Sequence, residues 1–413
     1  MSLEIRTIDE SDVPGWLRAV RTGFLRPPLV SKDEIEIRRP GMDLDRTQGA
    51  FDEGRCVGTC RSYAQRLALP GGASVAASGL TGVTVSATHR RRGLLSRMME
   101  RELRDAKERG EVAATLIAAE WPIYGRFGFG PATWTTEWEV EVARAGLDRR
   151  YTGPADGGRV DFVDGETVRA LGPGLHERLR ATRHGVIDRP ERWWGMATGD
   201  IPPVSAPWTE PFHALYRAPD GTPDGLLTYT ADDVWDGKRP LNTATVRDLI
   251  AVTTEAERAL WHFVLTADWI RKVATGFRAP DDLLPLLLPD PRAAKVTNHG
   301  DFLWLRPLDV PALLGARTYA CPGALVLEVV DPLGHAAGRF LLQAGPDGAS
   351  CAPTARPAEL VLDVGDLGAL ALGDESVVRL ASLGKVLEKR PGAVARAELM
   401  LRTARRPWCP DMF

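Results

Sequence analysis

The stretch from Gly79 to Gly110, GLTGVTVSATHRRRGLLSRMMERELRDAKERG, constrains the fold more than any other. Gly79 to Ser86 is a short apolar run with β-branched Val83, Thr84 and Val85, the composition of a buried strand. From Leu94 the period changes, and Leu95, Met98, Met99, Leu103 and Ala106 recur at the spacing of one helix face. Gly110 supplies a stop. A strand that turns directly into a helix leaves backbone N–H groups unpaired at the positive end of the helix dipole. The turn THRRRGLLS is therefore an anion site. Arg90, Arg91 and Arg92 add cations to it, and Gly93 lets the backbone come close to a ligand. A pyrophosphate suits this turn. The competing reading, an Arg-rich first turn on an ordinary strand–helix unit, would put cations at the wrong end of the dipole.

Around this unit the chain alternates strand and helix. EIRTI opens as a strand, and a helix follows an N-cap at Asp9–Ser11. Phe51 to Leu69 is a hairpin turning at Glu53-Gly54, and Pro70-Gly71-Gly72 leads into the central strand. After the long helix, EVAATLIAAE is a second buried strand, parallel to the first, leading into WPIYGRFGFGPA. The order β-α-β-β-β-α-β-α-β is that of an α/β sandwich. The loop of Phe24, Leu25, Pro27 and Pro28 is too apolar for a solvated linker. It reads equally as a core plug or as one wall of a substrate pocket.

The turn resembles the R/Q-x-x-G-x-G/A signature with which GNAT acetyltransferases hold the pyrophosphate of acetyl-CoA. Arg90 and Gly93 match it, and Leu95 stands where the signature has Gly or Ala. In that fold Tyr-x-x-x-Gly-Phe follows the fifth strand, and Tyr124, Gly128 and Phe129 fit it. The pair VTVSATHRRRGLLSRMM and AAEWPIYGRFGFGPA, on a chain of 413 residues, resembles the Eis (enhanced intracellular survival) family of N-acetyltransferases. That resemblance implies an α/β (α+β) chain: tandem GNAT folds followed by a sterol-carrier-protein-like C-terminal domain. Residues 1–142 would be the catalytic domain and 143–300 a degenerate second GNAT domain. Residues 301–413 would donate the C-terminus.

The segments agree with this division. RAGLDRRYTGPADGGR is a polar, Gly-rich border. ATVRDLIA followed by TTEAERALWHFVLTADWIRKV repeats strand, turn and helix, but Glu255 and Glu257 replace the arginines and no glycine is present. Carboxylates there suit the dipole and repel a pyrophosphate, so the second domain reads as a copy without cofactor. Trp193, Trp194, Trp261 and Trp269 read as core and interface anchors. LLPLLLPDPRAAKV is a Pro-punctuated link. LWLRPLDVPALLGARTY follows as strand and helix, ALVLEVVD and GRFLLQAGPDG as a hairpin. AELVLDVGDLGALALG continues in α/β style, with a filled core expected rather than a lipid tunnel.

The resemblance also implies site residues. Acetyl-CoA contacts fall on Val83, Thr84 and Val85, on Arg91, Arg92, Gly93, Leu94, Leu95 and Ser96, and on Ala119 and Glu120. Tyr124 is implied as the general acid; a phenol of pKa ~10 is protonated at neutral pH. Its other reading is packing with Phe127 and Phe129. No Asp or Glu has the spacing of a base, although Glu120 lies one turn before Tyr124. The resemblance implies instead the α-carboxylate of Phe413. ARRPWCPDMF is stiff and apolar, unlike a frayed end, and it reads alternatively as a docked terminus that only closes the pocket.

Composition excludes other classes. A net charge of −3 gives no reason to expect nucleic acid. No apolar run approaches the ~18 residues of a membrane span, and MSLEIRTIDESD has no signal-peptide pattern. The five cysteines form no zinc pattern, so no metal is expected and reduced thiols in the cytoplasm are the default. The expected function is acetyl-CoA-dependent N-acetylation of aminoglycoside-like polyamines or lysine amines, by a homo-oligomer that the resemblance makes a hexamer. The alternative is a non-catalytic acyl-CoA sensor or lipid-carrying scaffold.

Overall fold

The computed structural model describes residues 3–142, 153–154, 156–204 and 207–413. Most of the border stretch RAGLDRRYTGPADGGR lies outside the described residues. Two compact units form. The first comprises 1–133, 302–404 and 412–413, the second 134–301 and 405–411.

The first unit opens with β1 (Glu4–Thr7), α1 (Val13–Gly23), α2 (Lys32–Arg38), β2 (Thr47–Asp52), β3 (Arg55–Ala68) and β4 (Ser74–Val85). Then come α3 (Leu94–Glu108), β5 (Ala113–Ile117), the short α4 (Trp121–Tyr124) and β6 (Gly130–Pro131). β4 starts five residues before the predicted Gly79, because its small residues Ala76, Ala77 and Ser78 carry little strand signal. α3 ends as its glycine predicts. Gly110 is left-handed at φ +78°, its N–H reaches the Lys107 carbonyl, and the Glu111 N–H reaches Ala106. That is a Schellman stop. Leu94, Met98, Met99, Leu103 and Ala106 bury the helix against the sheet, as their spacing demands.

The second unit holds β7 (Trp134–Glu141), β8 (Arg159–Val163), α5 (Gly165–Thr182), α6 (Glu191–Ala197), β9 (Phe212–Arg217) and β10 (Pro223–Ala231). The ribbon β11 (Trp235–Asp236) and β12 (Arg239–Pro240) precedes β13 (Asn242–Ala251), α7 (Thr254–Thr266), β14 (Ile270–Ala274), α8 (Leu284–Leu287) and β15 (Ala294–Asp301). The helix predicted through Val273 stops at Thr266, and Ile270–Ala274 pairs in parallel with β13. No glycine marks that stop; Trp269 takes the left-handed backbone at φ +72°. Trp261 and Trp194 are core residues, as expected, whereas Trp269 is 61% exposed and packs edge-on against Trp235.

The chain returns to the first unit with β16 (Leu303–Pro307) and α9 (Val310–Gly315). The last part is β17 (Gly323–Val330), β18 (Gly338–Gly345), β19 (Gly348–Pro353), β20 (Leu360–Asp363), α10 (Val364–Leu370), α11 (Val377–Ser382), β21 (Val386–Glu388) and α12 (Ala393–Leu401).

Sheet order is β1-β2-β3-β4-β5-β16-β6 in the first unit and β15-β7-β14-β13-β10-β9-β8 in the second. Strands therefore cross the borders that composition draws. β7 precedes the polar stretch yet pairs with β14 and β15, and β16 pairs antiparallel with β5. β19-β18-β17-β20-β21 is a separate sheet with its own apolar core.

One buried ion pair ties β16 to the segment after α4. Arg306, fully buried, donates to the Phe127 carbonyl (2.7 Å) and to both carboxylate oxygens of Asp331 (3.0 and 2.9 Å). Burial alone would push the Asp331 carboxyl up. The Arg306 charge and the Ala336 and Leu333 N–H groups outweigh it and hold the carboxyl below its ordinary value. A depressed carboxyl stabilises the fold above its unfolded pKa of ~3.9, and that contribution is lost as pH falls further. Asp331→Asn should therefore cost about 3–5 kcal/mol at pH 7, leaving Arg306 buried and uncompensated. Urea titrations should show the gap to wild type narrowing below pH ~4.

Candidate active site

β4 and β5 pair in parallel only over Ala77–Gly79 and Ala113–Thr115. β4 continues to Val85 and β5 to Ile117, so the strands part beyond Gly79 and Thr115. On its other edge β4 stays paired with β3 as far as Gly58–Val85. The register shifts between Thr59 and Arg61, and β4 carries one extra residue there beside Gly82, which is left-handed at φ +62°. The bulge turns Val83–Val85 relative to the first half of the strand. Thr84 is buried, its hydroxyl 2.7 Å from that of Thr59. A Cβ on Gly23, at the end of α1, would lie 2.3 Å from Thr84 Cβ, so only glycine lets α1 close over this half of β4.

The arginine turn follows directly. A 3-10 turn at Ala87–His89 leads to exposed Arg90, Arg91, Arg92 and Gly93. Arg91 (φ +63°) and Gly93 (φ +73°) are both left-handed, and a Cβ on Gly93 would meet nothing within 4 Å. Gly93 is thus needed for its backbone, and the space over it is open. As N-cap it has no side chain to satisfy the first turn of α3, so the N–H groups at Leu94–Ser96 have no side-chain cap. Leu94 is buried and offers backbone only, and the Leu95 side chain packs on the core instead of filling the turn. A larger residue at the last signature position therefore leaves the anion cradle open.

The second unit makes the contrast. α7 has the Thr253 hydroxyl as its cap, bonded to the Ala256 N–H at 3.1 Å. Beside it lies a cavity of about 190 Å3 walled by Arg183, Glu257, Arg278, Asp282, Arg405 and Trp408. Those arginines are engaged: Arg278 with Asp282 (2.8 Å), Arg183 and Arg405 with Asp281 (3.2 and 2.8 Å). Desolvation and the facing Asp282 charge push the Glu257 carboxyl up.

The remaining expected contacts, Ala119 and Glu120, are exposed at the end of β5. Tyr124 follows them in α4, 8% exposed, packed edge-on to Phe129 (6.2 Å). Its packing with Phe127 and Phe129 is thus as expected. Burial, then the charges of Cys60 and Glu120, push the phenol up to about 12. Its proton is retained throughout the neutral range. The last residue, Phe413, is half-buried in the first unit, its ring 5.5 Å from that of Tyr63 on β3 and nearly perpendicular to it.

Sequence reasoning missed His89. It is buried, with Nε2 2.9 Å from Asp52 Oδ2 and Nδ1 2.8 Å from the Thr88 hydroxyl. This pair fastens the arginine turn to the β2–β3 hairpin, and its hydrogen bond holds the Asp52 carboxyl below its ordinary range. The partners are 37 residues apart, and no local pattern announces them.

Residues 4–132 and 185–307 each match an acetyltransferase (GNAT) domain family, and 310–410 match a sterol carrier protein domain. An uncharacterized N-acetyltransferase of Streptomyces avermitilis is 59% identical over 100% of this chain and 99% of its own. The N-acetyltransferase Eis of Mycobacterium bovis is 34% identical over 94% of each chain. The chain belongs to the Eis family of N-acetyltransferases. The crystal structure of Eis1 from Mycobacterium abscessus superposes with a TM-score of 0.85 at 32% identity, covering 99% of this chain and all of that one.

As an Eis-family GNAT enzyme, the protein transfers an acetyl group from acetyl-CoA to an amine, which sets aside the non-catalytic sensor. Arg91→Ala with Arg92→Ala should weaken acetyl-CoA binding by about 1.5–3 kcal/mol for each charge-assisted hydrogen bond lost. Calorimetry showing wild-type affinity would contradict this. With Tyr124 in the acid role proposed below, Tyr124→Phe should keep acetyl-CoA affinity while turnover falls roughly 10²–10⁴-fold. With the phenol held near 12, wild-type turnover should show no phenol break between pH 8 and about 10.5.

Proposed function

We propose that the acceptor is a primary amine of an aminoglycoside-like polyamine or of a lysine, with Tyr124 as acid and the Phe413 α-carboxylate as base. Backbone N–H groups of Val83–Val85 would hold the thioester oxygen, where negative charge gathers as the amine adds to the carbonyl carbon. The terminal carboxylate takes a proton from the attacking nitrogen, and the Tyr124 phenol gives one to the departing thiolate. The observation that carries the reading is the C-terminus: Phe413 packs on Tyr63 in the unit that holds the split strands, the arginine turn and Tyr124. A free α-carboxyl, at ~3.3–3.7, is a weak base, so in this role it accepts the proton as the amine adds rather than before.

The acceptor wall is read in the α1–α2 loop. Phe24 is 45% exposed, Leu25 91% and Leu29 74%, so the loop is not a core plug. Such an apolar surface suits the ring faces of an amino sugar or the stem of a lysine. Residues 1–142 are read as the catalytic domain and 143–300 as a copy without cofactor, supported by the uncapped α3 against the capped α7. Residues 301–413 deliver the terminus. Exposed Val378, Leu383, Leu387 and Leu399 are consistent with a homohexamer, and free cysteines with the cytoplasm.

The test extends the chain by a few residues after Phe413, which moves the carboxylate and leaves the ring. Thiol release with a panel of amines should then fall about 100-fold or more. An extended, correctly assembled protein working at the wild-type rate would remove the carboxylate from the mechanism and leave Glu120 as the next candidate.

A further inference from the structure

The Phe413 ring meets Tyr63 in the first unit, so what holds Tyr63 bears on where Phe413 stands. Tyr63 and Gln65 lie on the same face of β3, two residues apart. Gln65 is 2% exposed, and its amide is held at both ends. Its Nε2 donates to the Tyr63 hydroxyl at 3.1 Å, and its Oε1 accepts from the Thr115 hydroxyl at 2.6 Å. Thr115 is the β5 residue opposite Gly79 in the last parallel pair before β4 and β5 part. The hydrogen-bond chain therefore begins at the apex of the split.

Gly79 also faces Tyr63 across the β3–β4 ladder. A Cβ there would lie 2.7 Å from Tyr63 Cζ and 3.0 Å from Gln65 Nε2. The backbone of Gly79 is not left-handed, so glycine is required for space rather than conformation. The Tyr63 ring thus packs against a residue without a side chain, its hydroxyl accepts from Gln65 Nε2, and it meets the Phe413 ring at 87°.

We propose that Tyr63, braced by Gln65 and Thr115 over Gly79, is the positioning residue that seats the last residue of the chain at the apex of the acetyl-CoA cleft. Tyr63 takes no proton; it sets where the terminal carboxylate stands. The inference rests on the reading of that carboxylate as the base. Misplacing a catalytic group by about 1 Å is enough to cost on the order of 100-fold in rate.

The test is a cycle of four proteins: wild type, Tyr63→Ala, the chain extended after Phe413, and the two changes combined. The expected result is a fall of about tenfold or more in kcat/KM for the amine in Tyr63→Ala, with KM for acetyl-CoA within about twofold of wild type. In the combined protein Tyr63→Ala should cause no further loss, because the group it positions has already gone. Tyr63→Phe and Gln65→Leu both keep the ring and both lose the Gln65–hydroxyl bond, so each should fall part of the way from wild type towards Tyr63→Ala. Wild-type kcat/KM in Tyr63→Ala beside an impaired extended chain overturns the seat and leaves the base standing. A wild-type rate in the extended chain overturns the base and the seat together. A full additional loss in the combined protein also overturns the proposal, since Tyr63 would then act independently of the terminus.

Discussion

The structure depends on a strand that keeps one neighbour and abandons the other. β4 must remain hydrogen-bonded to β3 to hold its place in the sheet, yet leave β5 beyond Gly79 to open a cleft. Buried backbone groups without partners are costly. The parting therefore survives only where the sheet is otherwise complete and a ligand can take up the freed groups. Gly82 makes the bulge that lets β4 turn, and Gly23 lets α1 close over it. The arginine turn then supplies cations where the uncapped helix already offers N–H donors. Backbone geometry and side-chain charge thus converge on the same turn.

The division of the chain follows from pairing rather than from sequence order. β16 lies between β5 and β6 in the first sheet, and its Arg306 reaches back to the carbonyl of Phe127 in the Tyr124 motif. A strand from late in the chain thus helps hold the segment that carries the expected acid. The last residues show the same economy. Arg405–Asp411 belongs to the second unit, where Asp411 meets Arg189 Nε at 2.9 Å and the Trp408 indole donates to the Phe277 carbonyl. Only Met412 and Phe413 belong to the first.

What was legible in the sequence was local. The switch from strand to helix periodicity between Val85 and Leu94 and the stop at Gly110 lie within short windows, and the structure has both; the spacing of Tyr124, Gly128 and Phe129 is equally local. What was not legible is long-range. The exchange of β7 and β16 depends on strands pairing across more than a hundred residues, which composition does not encode. The end of α7 is not legible because Trp269, not a glycine, takes the left-handed turn. His89 with Asp52, and Tyr63 with Gln65 and Thr115, are ordinary polar residues until folding brings them together.

The central claim is that acetyl-CoA is held by the freed backbone of β4 and the uncapped first turn of α3. Amide hydrogen exchange with and without CoA measures those groups directly, since a bonded N–H exchanges only when its bond opens. The account predicts new protection at Val83–Val85 and at Gly93–Ser96 on adding CoA, with the amides at the start of α7 unchanged. Protection at α7, or none at the α3 turn, would contradict it.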